Sequence, residues 1–452
     1  MVPFLEQLAL ALRRHHPDGL ADVAVVMPVR GAAAVLRKYI AQGSDRPQWS
    51  PDIMDMGGFM QRASGMRQGA PVEMLAHLYR AHTAIAGAKA EPFDEMLQWA
   101  PTTLRDMSEV DEHLLDLDVF YRELQEIDDI EEWSFRLGEP SPGQQRLMRH
   151  WRQTAALHRA MHQRMRAEGT GTAGMVARTA VERITEGHLP WKAVWFAGLP
   201  RLAPAAAQVV ALLQQRGLAQ VAWDTDRHYL DDPLQEAGLH LRQAIARAGP
   251  GLVPPQGAIR ERPRTLHATT VPNDPAQALH AAALLEAMTD AERADTAIVL
   301  ADPELLMPLL QAWPAAAANA RVAMGLPLAA LPVHGLMEAF MRLHTLPRAH
   351  VELPVADVER LLAHALVQRG PDDRAAIAAL RAEGRPGIAL GRLATIISAH
   401  GRPDAGDLED ALRPVTDPVA EMPDRTTALI AWAQVRCADD PWGREQLFRM
   451  AA

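Results

Sequence analysis

Short apolar runs recur along the chain, each followed by a polar, glycine or proline turn. Five runs of four or five nearly continuous apolar residues lie at residues 23–27, 193–197, 219–223, 265–269 and 297–300. Strands that are buried on both faces have this composition. Helical spacing of apolar residues follows four of the runs, at residues 32–40, 204–215, 275–288 and 303–313. The repeated order of strand and helix predicts an α/β fold with a parallel sheet.

A long stretch with helical spacing separates the first and second predicted strands. Almost no strand signal occurs there, and helices are predicted at residues 73–86, 93–109, 114–126 and 144–168. The pattern is helical again after about residue 332, with segments at residues 355–367 and 372–383. A parallel sheet interrupted by so many helical residues is not a simple dinucleotide-binding domain.

Three regions follow from this pattern. They are a discontinuous α/β domain at residues 1–58 and 186–331, a helical insertion at residues 59–185, and a second helical region at residues 332–452. The final residues carry no helix stop signal, so we expect the last region to be truncated relative to a longer protein.

Composition restricts the class of protein. The 452 residues are 48% hydrophobic and 23% charged, which is typical of soluble globular domains. A single cysteine, Cys437, excludes a disulfide framework and a multi-cysteine zinc or iron–sulfur site within this chain. No stretch approaches the roughly 20 apolar residues of a membrane span. We therefore predict a cytoplasmic protein with no membrane partner.

Charge is distributed unevenly along the chain. The net charge is −10, yet residues 91–140 alone hold sixteen acidic and three basic residues. The rest of the chain is therefore close to neutral, with a small basic excess. Electrostatic recognition depends on local surfaces, so the acidic total does not exclude nucleic-acid binding.

The lysines exclude two kinds of catalytic site. A phosphate-binding P-loop needs a lysine followed by serine or threonine, but the three lysines precede Tyr39, Ala90 and Ala193. A PD-(D/E)xK nuclease needs an acidic residue two positions before its lysine, and those positions hold Leu36, Gly87 and Pro190. No catalytic residue and no cofactor are predicted for this chain.

Two groups of basic residues are candidates for phosphate contacts. Arg30 lies in the turn between the first strand and its helix, where an anion can bind the helix N-terminus; a plain turn in a packed sheet is the alternative. Four arginines share one face of the helix at residues 144–168, which either follows phosphates, is solvated, or pairs with the acidic helices. The candidate nucleic-acid-binding residues are Arg30, Arg37, Lys38, Arg149, Arg152, Arg159 and Arg166.

Two clusters contain residue types that bind metals. Asp224, Asp226 and His228 follow a predicted strand, but aspartate is also favoured in turns, and we interpret them as structural. His158 and His162 are four residues apart, which permits ligation from one helix face. No His-Glu-x-x-His pattern accompanies them, and we predict a partly exposed amphipathic face. No metal site is predicted.

Several blocks resemble AddB-type proteins, and more narrowly the branch described as PD-(D/E)xK nuclease family proteins. They occur in the family's order over residues 20–345. The blocks are LADVAVVMPVR (20–30) running into LRKY (36–39), PFDEMLQW (92–99), DMSEVD (106–111), VWFAGL (194–199), AWDTDRHYL (222–230), TAIVLAD (296–302) and MGLPL (324–328).

The resemblance implies a superfamily-1-helicase-like α/β fold, a parallel sheet with large helical insertions, and a C-terminal nuclease domain. It also implies a role in DNA double-strand break repair and recombination. In active relatives an acidic residue for magnesium lies in the strand before Gly198, whereas Ala197 and its neighbours are apolar. The nuclease domain has no match in this chain. The resemblance therefore implies an inactivated helicase within a longer nuclease.

Two hypotheses of different classes follow. In the first, the chain is a non-catalytic helicase-like portion that binds single-stranded DNA or DNA ends and works with a helicase–nuclease partner subunit. In the second, it is a partner-docking scaffold that does not bind DNA. The position of the arginines at residues 144–168 discriminates between them, because arginines buried against residues 91–140 are unable to bind phosphates. An enzyme that uses the Asp224 cluster is a third, residual hypothesis.

Overall fold

The chain forms two compact units, Met1–Thr270 and Val271–Ala452. The computed structural model describes residues 2–28, 31–44, 47–129, 142–261, 263–317, 322–345, 352–368, 370–400, 405–415 and 418–451. In the first unit the elements are α1 (Phe4–His15), β1 (Val23–Val26), α2 (Ala32–Gln42), β2 (Asp52–Met54), α3 (Met56–Ser64), β3 (Arg67–Gln68), α4 (Pro71–Ala86), α5 (Phe93–Met96), α6 (Ala100–Glu112), α7 (Leu117–Asp129), α8 (Pro142–Glu168), β4 (Thr170–Gly171), α9 (Ala173–Thr185), β5 (Ala193–Ala197), α10 (Pro204–Gln215), β6 (Ala219–Ala222), α11 (Arg227–Asp231), α12 (Leu239–Ala248) and α13 (Ala258–Glu261).

A four-stranded parallel sheet organises the first unit, in the order β2-β1-β5-β6. Val25 of β1 lies opposite Ile53 of β2 and Trp195 of β5. The predicted α/β class and the parallel arrangement are confirmed, and three of its strands are those predicted at residues 23–27, 193–197 and 219–223. The pattern missed β2, which has only three residues and is half-buried.

Alternate residues of the central strands point to opposite faces of the sheet, so each face has its own apolar layer. On one face Val25 and Trp195 pack with Leu12 of α1 and Leu36 of α2. The layer on the other face joins the sheet to the insertion helices and α10, and includes Val26, Phe196, Phe59, Met175 and Val209. The sheet is therefore covered by helices on both sides, which explains why its strands are continuously apolar.

The helices between β2 and β5 pack on one another and on the sheet. Contacts join α3 and α6 to α9, and α4 and α7 to α8. The helix predicted at residues 93–109 is two helices, α5 and α6. Pro101 explains the break, because proline lacks an amide hydrogen and its ring clashes with the carbonyl four residues earlier, that of Leu97. The domain boundaries predicted at residues 58, 185 and 331 stay predictions.

The second unit is mainly helical. Its elements are α14 (Asp274–Ala287), α15 (Asp290–Ala294), α16 (Leu306–Gln311), α17 (Pro332–Thr345), β7 (Glu352–Pro354), α18 (Val355–Leu362), α19 (Pro371–Ala382), β8 (Gly387–Ala389), α20 (Leu390–Ala399), α21 (Ala405–Leu412), α22 (Pro418–Arg436) and α23 (Pro441–Ala451). Strands β7 and β8 form a short antiparallel pair. The core lies between α17 and α23, around Phe340, Leu361 and Trp432.

Two of the predicted strands are wrong. Residues 265–269 and 297–300 form no ladder with any described residue. Leu266 is 92% exposed and Val299 is 88% exposed. A short apolar run has strand propensity, but a strand also needs a neighbour for its backbone groups, and a local pattern does not supply that neighbour.

Candidate functional site

The order of strands defines a crevice at one edge of the sheet. The chain leaves β1 toward β2 on one side, and β5 lies on the other side, so the connections diverge at the carboxyl ends of β1 and β5. Open α/β sheets bind ligands at such a switch point. Here the strand ends carry Met27, Pro28 and Gly198. Gly198 has a φ of +68°, which favours glycine.

The crevice is lined with apolar groups at the described positions. Carbon atoms of Phe4 and Pro28 each lie 3.9 Å from the point that a Cβ on Gly198 would occupy. Arg30, the residue predicted to lie beside an anion in this turn, is outside the described residues. Nothing in the described turn replaces the lysine and hydroxyl that a nucleotide-binding loop requires.

Arg37 and Lys38 form an exposed basic pair on α2. The neighbouring Leu36 and Ile40 are buried against the sheet, so the helix presents both cations outward. Neither cation makes an ion pair with a described residue. Arg37 also lines an open cavity of about 480 Å³ together with Ser44, Gln48 and Ser50, among others. The pair is therefore available to an anionic ligand.

The arginine face of α8 is already in contact with carboxylates. Arg159 donates to Asp118 of α7, and Arg166 donates to Glu182 of α9 at 2.7 Å. These side chains are 41% to 78% exposed, so each pair contributes only about 0–1 kcal/mol. The side chains of Arg149 and Arg152 lie outside the described residues. Of the two arginines whose side chains are described, Arg159 pairs with the acidic segment and Arg166 does not, and neither is buried.

A buried polar cluster lies where four helices of the insertion meet. Asp111, near the end of α6, is completely buried. Its Oδ2 accepts from Nε2 of His162 at 2.8 Å and lies 3.1 Å from Nε2 of His158, both on α8. Its other oxygen, Oδ1, accepts from Nε of Arg178 on α9 at 2.8 Å. We call Asp111, His158 and His162 the histidine–aspartate cluster.

Tyr121 and Arg178 complete the surroundings of the cluster. The hydroxyl of Tyr121, on α7, lies 2.8 Å from Nδ1 of His158. With His158 neutral, its Nε2–H donates to the carboxylate of Asp111, while its Nδ1 accepts from the phenol. Arg178 also donates to the carbonyl oxygens of Val110 and Leu115. Every polar side chain of the cluster therefore has a partner.

Burial and charge shift the pKa values of this cluster in different directions. Burial raises the pKa of Asp111, but hydrogen bonds from His158 and His162 outweigh it and hold the pKa well below its usual range. Burial lowers the pKa of His158 in spite of the neighbouring carboxylate. Burial and the charge of Asp111 raise the pKa of Tyr121. An ionised aspartate beside a neutral histidine and a protonated phenol is the resulting state.

The prediction of a partly exposed amphipathic face at His158 and His162 is wrong for His158, which is buried, whereas His162 is partly exposed. The His158 side chain is 1% exposed and that of His162 is 12% exposed, because Asp111 of α6 and Tyr121 of α7 contact this face of α8. A sequence signal for the cluster exists. Asp111 continues the buried stripe of Leu104 and Met107 on α6 at helical spacing, so a carboxylate falls on a core-facing position.

The aspartates after β6 stabilise local structure. Asp226 is buried and accepts from the backbone N–H groups of His228 and Ile259, at 2.9 and 3.1 Å. Asp231 pairs with Arg260 at 3.4 Å. Among the described residues, these carboxylates form no group with metal-ligand spacing, whereas the histidine–aspartate cluster does. The structural interpretation of Asp226 agrees with these contacts.

Comparisons with protein-family models and with curated proteins found no relative of this chain. Within the described part of the chain, no helix has both the length and the apolar character that a membrane span requires. The AddB-like assignment stays a prediction.

Proposed function

We propose that this chain is the non-catalytic, helicase-like and DNA-binding portion of an AddB-like helicase–nuclease that acts in DNA double-strand break repair and recombination. The parallel sheet, interrupted by a helical insertion of more than 130 residues between β2 and β5, supports the helicase-like part of the proposal. The absence of a Walker lysine supports the loss of ATP hydrolysis.

The observation that carries the DNA-binding part is the basic pair on α2. Arg37 and Lys38 are adjacent, exposed and without a carboxylate partner among the described residues. Unpaired cations bind phosphates without first breaking an ion pair, and each phosphate they neutralise releases counterions. Arg159 and Arg166 have to exchange a carboxylate for a phosphate, so we assign them a secondary role.

The test is a fluorescence-anisotropy titration with a labelled duplex that bears a single-stranded tail, over a series of salt concentrations. A double charge reversal, Arg37→Glu with Lys38→Glu, removes two phosphate contacts. We expect at least a 10-fold loss of affinity and a log–log salt slope that is smaller by about 1.5, since each contact contributes about 0.7–0.9. Affinity of the native chain should be the same with and without ATP.

A matched control separates local contacts from total charge. Arg80→Glu with Lys89→Glu makes the same change in net charge at two other exposed positions of the first unit. The control should keep most of the affinity and nearly the native salt slope. Equal losses in both double variants, or no loss in either, would exclude α2 as the phosphate-binding surface.

The scaffold hypothesis remains a second candidate because of the acidic insertion. Residues 91–140 carry thirteen more acidic than basic residues, and Arg159 pairs with one of them, Asp118 on α7. Such a surface repels phosphates and attracts a basic partner. No binding of the tailed duplex at low salt would favour this candidate over the first.

A further inference from the structure

We infer that the histidine–aspartate cluster is a zinc-binding site, in which Nε2 of His158, Nε2 of His162 and Oδ2 of Asp111 are the ligands. The three ligand atoms lie within 4.8 Å of one another. Two imidazoles and one carboxylate are a donor set that Zn²⁺ accepts in proteins, with the fourth position open to water. The inference goes beyond DNA binding and does not depend on it.

The two distances from the carboxylate oxygen to the imidazole nitrogens are a little shorter than those of a tetrahedral zinc site. Zinc bonds of about 2.0–2.1 Å place neighbouring ligands roughly 3.3 Å apart. Oδ2 of Asp111 is 2.8 Å from Nε2 of His162 and 3.1 Å from Nε2 of His158, so Oδ2 has to withdraw by about 1 Å to leave room for a zinc ion bonded to both nitrogens. The two imidazole rings lie at 79° to each other with centroids 4.6 Å apart, and both direct Nε2 at the same oxygen.

The groups around the cluster are those that orient zinc ligands. Metal-bound histidines almost always use their second nitrogen in a hydrogen bond that holds the ring. Nδ1 of His158 has that partner in the hydroxyl of Tyr121. Arg178 binds Oδ1 of Asp111 and leaves Oδ2 for the metal. When Nε2 of His158 binds the metal, the ring carries its proton on Nδ1, and this N–H donates a hydrogen bond to the hydroxyl oxygen of Tyr121.

Access and charge are also compatible with a cation. His162 is the most exposed of the three ligands, at 12%, and marks the side from which zinc and a water ligand enter. The ligand Asp111 belongs to the segment at residues 91–140, which contains sixteen acidic and three basic residues. The positive charge of Arg178 beside the site is paired with Oδ1 of Asp111 itself.

The experiment is a titration of the chelator-treated full chain with Zn²⁺, followed by calorimetry, and with Co²⁺, followed by visible absorption. We expect one equivalent of Zn²⁺ that excess Mg²⁺ does not displace, since Mg²⁺ prefers oxygen ligands. Co²⁺ should give the intense visible bands of a four-coordinate site, and Zn²⁺ should abolish them. Tyr121→Phe should weaken zinc affinity about 10-fold.

Variants at His162 distinguish a metal ligand from a hydrogen-bond donor. His162→Ala should lose the bound equivalent, whereas His162→Cys should keep it, because a thiolate binds zinc but does not replace the imidazole N–H. His113→Ala, at an exposed histidine directly after α6, is the matched control and should bind zinc as the native chain does. Circular dichroism of each variant checks folding.

Two results would overturn the inference. If the native chain takes up no zinc, the cluster is a hydrogen-bonded network only. If native, His162→Ala and His113→Ala chains take up equal amounts, the bound metal lies elsewhere. A zinc-dependent rise in melting temperature in the native and His162→Cys chains, but not in His162→Ala, would support the site independently of calorimetry.

Discussion

Replacing Asp111 by asparagine should destabilise the first unit strongly. The substitution keeps the size of the side chain but removes the charge that faces Arg178. Removal of one partner from a buried ion pair costs about 3–5 kcal/mol, because the other charge stays buried without compensation. Arg178 is 15% exposed and keeps two backbone carbonyl acceptors. We therefore expect the lower end of that range, about 3 kcal/mol.

The assay is urea unfolding in the presence of a chelator, so that only the hydrogen-bonded network contributes. With an m value of about 2–3 kcal/mol per molar urea, a loss of about 3 kcal/mol lowers the midpoint by roughly 1 M or more. Hydrogen exchange of the amides in α6, α8 and α9 assigns the change to the first unit.

Asp106→Asn is the matched control, since it makes the same chemical change on the same helix. The Asp106 side chain is 63% exposed and lies 3.8 Å from Arg105, so its loss should change the free energy of unfolding by less than about 0.5 kcal/mol. If Asp111→Asn and Asp106→Asn had the same midpoint, the reasoning that the cluster stabilises the insertion would be refuted.

Two further predictions concern the first unit. Gly174→Ala should lower the free energy of unfolding by about 1–3 kcal/mol or more, because its Cβ would lie 1.8 Å from the Ser108 carbonyl oxygen where α9 crosses α6. Gly57→Ala, at an exposed helical glycine with no such contact, should be neutral or stabilising by up to about 1 kcal/mol. Thermal melts that rank the two variants in the opposite order would contradict this packing. Burial raises the pKa of Asp226, but hydrogen bonds from backbone N–H groups lower it by a larger amount, so the net shift of the pKa is downward. Its contribution to stability is therefore present above the unfolded pKa of about 3.9 and is lost as pH falls through the lower folded pKa. Asp226→Asn should show a shallower loss of stability below about pH 4 than the native chain, and identical pH profiles would show that this carboxylate does not contribute.

Local patterns were sufficient for the parts of the fold in which one segment decides its own environment. The apolar runs at residues 23–27, 193–197 and 219–223 predicted three strands of the sheet, and the bounds of α10 agree with the predicted helix. A strand with both faces covered needs apolar residues throughout, and an amphipathic helix needs one apolar stripe. Both requirements produce a pattern of apolar residues that is recognisable within a short segment of the sequence.

The same patterns failed where a distant neighbour decides the outcome. The run around Leu266 has the composition of a strand, yet it has no ladder partner among the described residues. In contrast, Asp52–Met54 forms an edge strand because β1 lies beside it. Propensity is a property of a segment, whereas a ladder is a property of two segments.

The candidate site shows the same division. The three lysines excluded a Walker loop and a nuclease motif from residue order alone, because both sites need neighbouring residues of stated types. The approach of Asp111 to His158 and His162 depends on the packing of α6 against α9 and of α8 against α7. Asp111 and His158 are 47 residues apart in the sequence, so no helical or strand spacing predicts their contact. Only the tertiary structure brings these ligand types together.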